Sequence, residues 1–520
     1  MRFREHVVKG LGLLSLCLAL TGYPAAQPAA QKKAEACNME LLGYNDLQGR
    51  AAYMATIKHQ GDRWIAYVGS LDHFPSQLNP LTGQVEGNGT SIVDVTDPRH
   101  PKYITHIPGG EAKPESSGPP YPATSQFTRV CGGSELPHGV TGKFYLLRPE
   151  GVESWEIWDV TDPAKPSRLT VIAGGSVVEH QPWWECDTGI AYLPSGPLGW
   201  RVPAQANDVF DTKDHAMIYD LSDPAKPVFI RAFGLPEQVP GSTLPETYAG
   251  LHSVISAGPK DNRVFLAYGN GGPGVVTIVD RAKLLNGPKE PTEQNERYPV
   301  IARIDLPPDT GAHTAFPLLQ MHLPEFAKDK TGSVKDFVAI TGNSHNVRDC
   351  AFSRQMVHIF DITPETKPVD IITGTSPSDT APETVPMGVS TWTVPEASGN
   401  FCSIGGIFGT HGTNNNFTPI YLNHVLFVAF HNAGVRALDV RDPYNPKEIG
   451  YYIPAVSATS KQSCIRDQET PACATVSDVN NIEVDDRGYI YTVDGYGGGL
   501  HILQLTGEAR QVADFARATQ

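Results

Sequence analysis

The stretch "DVTDPAKPSRLTV", residues 159–171, follows the alternating run "WEIW" and carries two prolines, Pro163 and Pro166, before alternation resumes. Much the same phrase opens at Asp94 ("DVTDPRHPKYITHI") and at Asp220 ("DLSDPAKPVFIRAF"). Short oxygens of Asp, Thr and Ser bond nearby backbone N–H groups, while proline presets φ and bars continuation of a ladder. The phrase therefore reads as a hairpin between two strands. Its recurrence reads as one supersecondary unit used several times.

Alignment on the apolar alternation before the aspartate extends the three copies to seven: "SIVDVTDPRHP", "WEIWDVTDPAKP", "AMIYDLSDPAKP", "VTIVDRAKLLN", "VHIFDITPETKP", "VRALDVRDPYNP" and "LHILQLTGEAR". The anchors are Asp94, Asp159, Asp220, Asp280, Asp361, Asp439 and Gln504, about every 60–80 residues, a period typical of propellers and solenoids. Upstream of each lies another apolar strand, among them "WIAYVG", "GIAYLP", "VFLAYG" and "YIYTVDG". The unit is a four-stranded antiparallel blade, with the Asp-Pro phrase joining its outer two strands. Seven such blades set radially bury both faces of every sheet and leave few exposed edges.

The expected architecture is thus an all-β, seven-bladed β-propeller over residues 37–508, followed by a C-terminal tail, 509–520. The last blade runs out of clear strand after "LHILQLTG", whereas "CNMELLGYNDLQGR" (37–50) has an outer-strand pattern with no strand pair before it. Residues 38–47 are expected to supply the outer strand of the last blade and close the ring.

Composition agrees with a turn-rich β chain: 50 Gly and 44 Pro in 520 residues. The 41 Lys+Arg against 56 Asp+Glu, without a basic cluster, exclude a nucleic-acid partner as the leading reading. Arg2, Arg4 and Lys9 precede an apolar run from Leu11 to Leu20, too short to cross a bilayer. Residues 1–36 are expected to be a secretory signal plus a processed or flexible segment, which makes the protein periplasmic or secreted with no transmembrane segment. Leu16 before Cys17 argues against lipid anchoring, where a small residue is required. Export permits disulfides. Cys464 with Cys473 is the best local pair, Cys131 with Cys186 and Cys350 with Cys402 would link neighbouring repeats, and Cys37 is left over.

The apolar-Asp-Val strings resemble the LVIVD repeat of bacterial and archaeal cell-surface propellers, over most of residues 38–507. That resemblance implies the fold and is nearly silent on function, because propellers host many unrelated activities.

Chemistry is sought where inner strands open. Five are read as opening with histidine: His138 ("LPHGV"), His180 ("VEHQPWW"), His252 ("GLHSV"), His322 ("QMHLPEF") and His411 ("GTHGTNNN"). In an up-and-down blade the start of strand one and the turn after strand two share a face. Those turns add His73, Asn270, His345, His431 and Asp494 to the same channel mouth. Neutral imidazole is the common protein ligand for iron, copper and zinc, so His138, His180, His252, His322 and His411 are the candidate metal ligands. Iron or copper is preferred and zinc possible. Carotenoid cleavage oxygenases hold iron on axial histidines of a seven-bladed propeller, an analogy of architecture without shared motifs. The candidate catalytic groups are His431, Arg148, which could hold an anion or pair with Glu150, and Glu179, which could orient His180. His313, His215 and the remaining histidines are read as surface or strand-face residues. The same repeated histidine could equally fasten one blade to its neighbour.

These features point to an exported metal-dependent oxidoreductase acting on a small apolar substrate. Two alternatives stand beside it: a His- or zinc-dependent lyase or hydrolase on a carbohydrate, and a non-catalytic scaffold that binds a protein partner at the channel mouth. Long insertions at 77–90, 195–214 and 375–400 would cover that mouth. No G-x-S-x-G elbow, H-E-x-x-H helix or Walker loop is present.

Overall fold

A computed structural model describes residues 33–516 except 72, 74–75, 111–124, 151–153, 174–179, 197–198, 202–214, 246–248, 270–273, 308–309, 329–333, 344–355, 364–385, 396–400, 402–403 and 465–472. Residues 1–32, which hold most of the expected secretory segment, Cys350, Cys402 and most of the insertions at 195–214 and 375–400 lie outside the described residues, as do Glu179, Asn270 and His345.

Seven four-stranded antiparallel sheets form the blades of a propeller. Blade one is Ala52–Gln60, Arg63–Ser70, Thr90–Asp94 and Lys102–Ile107. Blade two is Arg129–Gly132, Phe144–Glu150, Ser154–Asp159 and Ser167–Ala173. Blade three is Trp183–Trp184, Ile190–Ser195, His215–Asp220 and Val228–Phe233. Blade four is Leu251–Ser256, Arg263–Tyr268, Val275–Asp280 and Val300–Asp305. Blade five is Thr314–His322, Val334–Thr341, Val357–Asp361 and Met387–Trp392.

The last two blades take strands from the N-terminus. Blade six contains Val425–Ala429, Val435–Asp439 and Lys447–Ile453, with Glu35–Cys37 added along its outer edge. Its innermost layer is residues 411–414, which bond back to the first of these strands (His411 N to Ala429 O, 2.9 Å). Blade seven contains Val479–Val484, Ile490–Asp494 and Gly499–Leu505, closed by Met39–Asn45. Closure by the N-terminal strand thus holds, and the preceding strand extends it to a second blade. The segment after Leu505 does not hang free: the helix Gly507–Val512 buries Ala509, and the Asp514 amide bonds Ile420 O at 2.8 Å.

The repeated aspartates are turn residues. The carboxylate of Asp94, Asp159, Asp220, Asp361 and Asp439 accepts from the amide two residues on, at 2.8–3.1 Å. Asp280 instead caps the helix Arg281–Asn286 through the Lys283 amide at 2.9 Å. A register shift falls between the residues two and one before the anchor in all seven blades, at Ile92/Val93, Ile157/Trp158, Ile218/Tyr219, Ile278/Val279, Ile359/Phe360, Ala437/Leu438 and Ile502/Leu503. Such bulges sharpen the local twist, and here they turn the outer strand at the same place in each blade. Alternating Val, Ile, Leu and Phe from facing sheets fill the spaces between blades.

One disulfide, Cys131–Cys186, ties blade two to blade three, with Cα atoms 5.4 Å apart. Cys464 and Cys473 face each other across a two-stranded ladder, and Cys473 is disulfide-bonded. Cys37 is also disulfide-bonded, so it is not a spare thiol.

Candidate functional site

Inner strands run from one mouth of the channel, and their first residues come together there. His180 lies three residues before the inner strand of blade three, His252 is the second residue of Leu251–Ser256, His313 directly precedes Thr314–His322, and His411 opens the inner layer of blade six. Their rings form a continuous row. Ring centres are 4.6 Å apart for His180–His252, 3.9 Å for His252–His313 and 3.9 Å for His313–His411. His431, in the turn after Val425–Ala429, extends the row at 4.7 Å from His411. All five imidazoles are buried.

Backbone carbonyls set the tautomers of two rings. His411 Nδ1 lies 2.6 Å from Asn480 O on blade seven, and His252 Nδ1 lies 3.2 Å from His313 O on blade five. A carbonyl only accepts, so each Nδ1 carries the proton and each Nε2 presents a lone pair. The Tyr53 hydroxyl reaches His411 Nε2 at 3.1 Å and His313 Nε2 at 3.4 Å. Gly412 lets the strand after His411 approach blade seven, since a Cβ there would overlap Asn481 Oδ1. Burial, then the four neighbouring imidazoles, push His313 well below the ordinary histidine value.

His431 differs from the others. Its Nδ1 lies 2.8 Å from Asp478 Oδ1, and its Nε2 is buried without a hydrogen-bond partner among the described residues. Its backbone stands at φ 36°, in the left-handed region that costs a non-glycine residue energy and clusters at functional sites. Burial alone would raise the Asp478 carboxyl, but the charge and hydrogen bond of His431 outweigh it and hold Asp478 below the usual range. Asp494, whose Oδ2 accepts from the Asp478 amide at 2.8 Å, is pushed up to about 7 by burial and then by Asp478. His73 stacks on Tyr496 at 4.4 Å and its Nδ1 lies 3.1 Å from Gly495 O.

The structure redistributes the candidates. It gathers His180, His252, His411 and His431, but neither His138 nor His322. His138 is exposed in the hairpin between the first two strands of blade two, its amide bonded to Ser222 O at 3.1 Å. His322 is exposed at the far end of a nine-residue strand whose near end is preceded by His313. His313, read from sequence as peripheral, occupies the place assigned to His322. The signal was present: "TGAHTAF" sets histidine after small residues and before an apolar strand, whereas the stretch after His322, "LPEFAKDKTG", is polar and leads away from the strand. Arg148 is not at the mouth. It is buried between blades one and two, ion-paired to Glu156 at 2.9 Å and bonded to Ile107 O and Pro108 O, while Glu150 accepts from Ser154. The insertion at 77–90 forms the hairpin Ser76–Asn79 with Gln84–Gly87.

No family model matches the chain. No curated protein matches it either. Among solved structures, the propeller of Dos1 is similar at 10% identity, covering 90% of this chain and 96% of that one, with a TM-score of 0.43. Sqt1 from Chaetomium thermophilum is similar at 10% identity, covering 90% of this chain and 99% of that one, with a TM-score of 0.44. No helix among the described residues is long and apolar enough to cross a membrane.

Two imidazoles binding one ion at about 2.1 Å in a tetrahedral arrangement have ring centres about 5.3 Å apart. The observed spacings of 3.9–4.6 Å are shorter and belong to tilted rings packed on one another. Nδ1 atoms tied to carbonyls are also the usual outer contact of ligating histidines. As the side chains stand, no group of three or more His, Cys, Asp or Glu among the described residues makes a ready coordination set. Ring type and the tautomers of His252 and His411 suit a transition metal, whereas the rings would have to turn and separate to bring their lone pairs to one point.

Proposed function

We propose that this chain is an exported propeller of the LVIVD kind and a metal-dependent oxidoreductase acting on a small apolar substrate. His180, His252, His313 and His411 would hold the metal through their outward-facing nitrogens. The observation that carries this reading is the unbroken row of buried imidazoles, two of them pinned through Nδ1 to the following blade. Burying several imidazoles side by side disfavours their protonated form, and so keeps them in the state that donates a lone pair. Iron or copper on such nitrogens would supply one-electron chemistry.

The chain's own residues supply proton handling. His431 Nε2 can accept a proton while Nδ1–H stays on Asp478, whose carboxylate stabilises the imidazolium that forms. Tyr53 donates a hydrogen bond to His411 Nε2, a contact that ligation through that nitrogen would replace.

A second reading rests on the same His431–Asp478 pair. With Tyr53 nearby it is an acid–base set suited to a lyase or hydrolase that needs no redox metal. A third reading, a scaffold for a protein partner, rests on the Nδ1 contacts serving only as fasteners between blades.

Metal analysis of the exported, tag-free protein separates these readings. Stoichiometric iron or copper, lost in the His252→Gln/His313→Gln variant with its circular dichroism retained, is the expected result. Zinc in that place favours acid–base chemistry. Protein that stays free of metal after refolding with ferrous, cuprous and zinc ions overturns the metal reading.

A further inference from the structure

Beside the row of imidazoles, the inner strands bring together a second group of buried polar side chains. Arg129 opens the inner strand of blade two and is 8% exposed. Its Nε donates to Pro182 O on blade three at 2.9 Å, and its Nη1 reaches Asn415 O on blade six at 3.5 Å. Its Nη2 has no partner among the described residues, and no carboxylate there lies within ion-pair distance. Gln181 spans the channel to Asn415 Oδ1 at 2.7 Å, which places this layer on the axis.

The nearest acidic group is Glu483 on blade seven, also buried. Its carboxyl accepts from the Val484 amide at 2.9 Å, and burial, opposed by Arg129, pushes it up to about 7. Glu483 is thus a weak counter-charge near neutrality. A buried guanidinium with a weak counter-charge and an unused N–H edge is costly unless an anion completes it. The surroundings say what kind of anion. The guanidinium lies 4.7 Å over the ring of Trp183, which is half-buried and packs against Phe417 at 5.5 Å. Phe417 in turn meets Phe316 at 5.6 Å.

We infer that Arg129, Trp183 and Phe417 form a binding site for a small monocarboxylate with an apolar or aromatic body. The carboxylate takes the free edge of the Arg129 guanidinium, where charge-assisted hydrogen bonds are strongest, and the body lies against Trp183 and Phe417. This site involves no metal and none of the five imidazoles, so it stands whether or not the oxidoreductase reading does.

Benzoate is the probe and benzyl alcohol its uncharged control. Titration of the full-length mature protein is followed by Trp fluorescence and by thermal unfolding. Benzoate is expected to raise the melting temperature of the wild type in a saturable way, and benzyl alcohol to leave it unchanged. Arg129→Gln should lose benzoate affinity by about tenfold or more, and Arg129→Lys, which keeps the charge without the fork, by less. Arg129→Lys also serves if Arg129→Gln fails to fold. Absence of a benzoate effect on the wild type, an equal effect of benzyl alcohol, or undiminished binding in folded Arg129 variants would overturn the proposal.

Discussion

His411 Nδ1 and the carbonyl oxygen of Asn480 are 2.6 Å apart, so one imidazole joins the inner layer of blade six to that of blade seven. Removing it strands a buried acceptor and leaves a hole beside Tyr53. His411→Ala is expected to lower unfolding stability by about 2–3 kcal/mol. Chemical denaturation measures this directly, and an unchanged midpoint would show that the contact fastens nothing.

The Cys131–Cys186 disulfide closes a loop of 55 residues between adjacent blades. On the chain-entropy account such a loop is worth about 4 kcal/mol. The Cys131→Ser/Cys186→Ser variant should therefore melt well below the wild type. Reductant should lower the wild-type melting temperature at least as far, since it also opens the disulfides of Cys37 and Cys473.

His215 is fully buried against Trp200, with ring centres 4.4 Å apart, and burial pushes it down to about 3 from 6.5. Between those pH values the unfolded chain takes a proton that the folded chain refuses, so stability falls as pH drops through that window. At pH 5 the loss from this one group is about 2 kcal/mol. His215→Leu should remove it, giving a variant less sensitive than the wild type between pH 7 and pH 5 in denaturant titrations.

Asp494 acts in the opposite sense. Its folded value of about 7 lies above the ordinary 3.8, so the folded state holds the extra proton and stability is lost as pH rises through 7. Between pH 5 and pH 8 this amounts to about 3 kcal/mol. Asp494→Asn should flatten that part of the stability profile, whatever its effect on absolute stability. A slope unchanged from wild type would place the titration elsewhere.

Blade number, turn chemistry and ring closure were legible because each repeats or has a local cause. Asp94, Asp159 and Asp220 announce the same turn by the same oxygen-to-amide contact, and Met39–Asn45 shows its strand pattern without a local partner. The bulge ahead of each anchor was not legible, because it alters pairing without changing the apolar pattern. The imidazole row was only partly legible. His180, His252 and His411 open strands, but His322 and His313 stand at opposite ends of one strand, and period-two alternation does not say which end faces the mouth. His138 failed for a related reason: the true inner strand, Arg129–Gly132, is short and the histidine belongs to the hairpin after it. Arg129 gave no signal, since its meaning depends on three other blades.

Glu40 and Gln504 touch side chain to side chain at 2.7 Å across 464 positions of sequence. The strand Met39–Asn45 must therefore wait for a partner synthesised more than 400 residues later. Until then the body is an open arc with two raw β edges, each a template for a second molecule. Damage to this seam would surface as slow maturation and clumping of newborn chains, with the finished molecules almost unaffected.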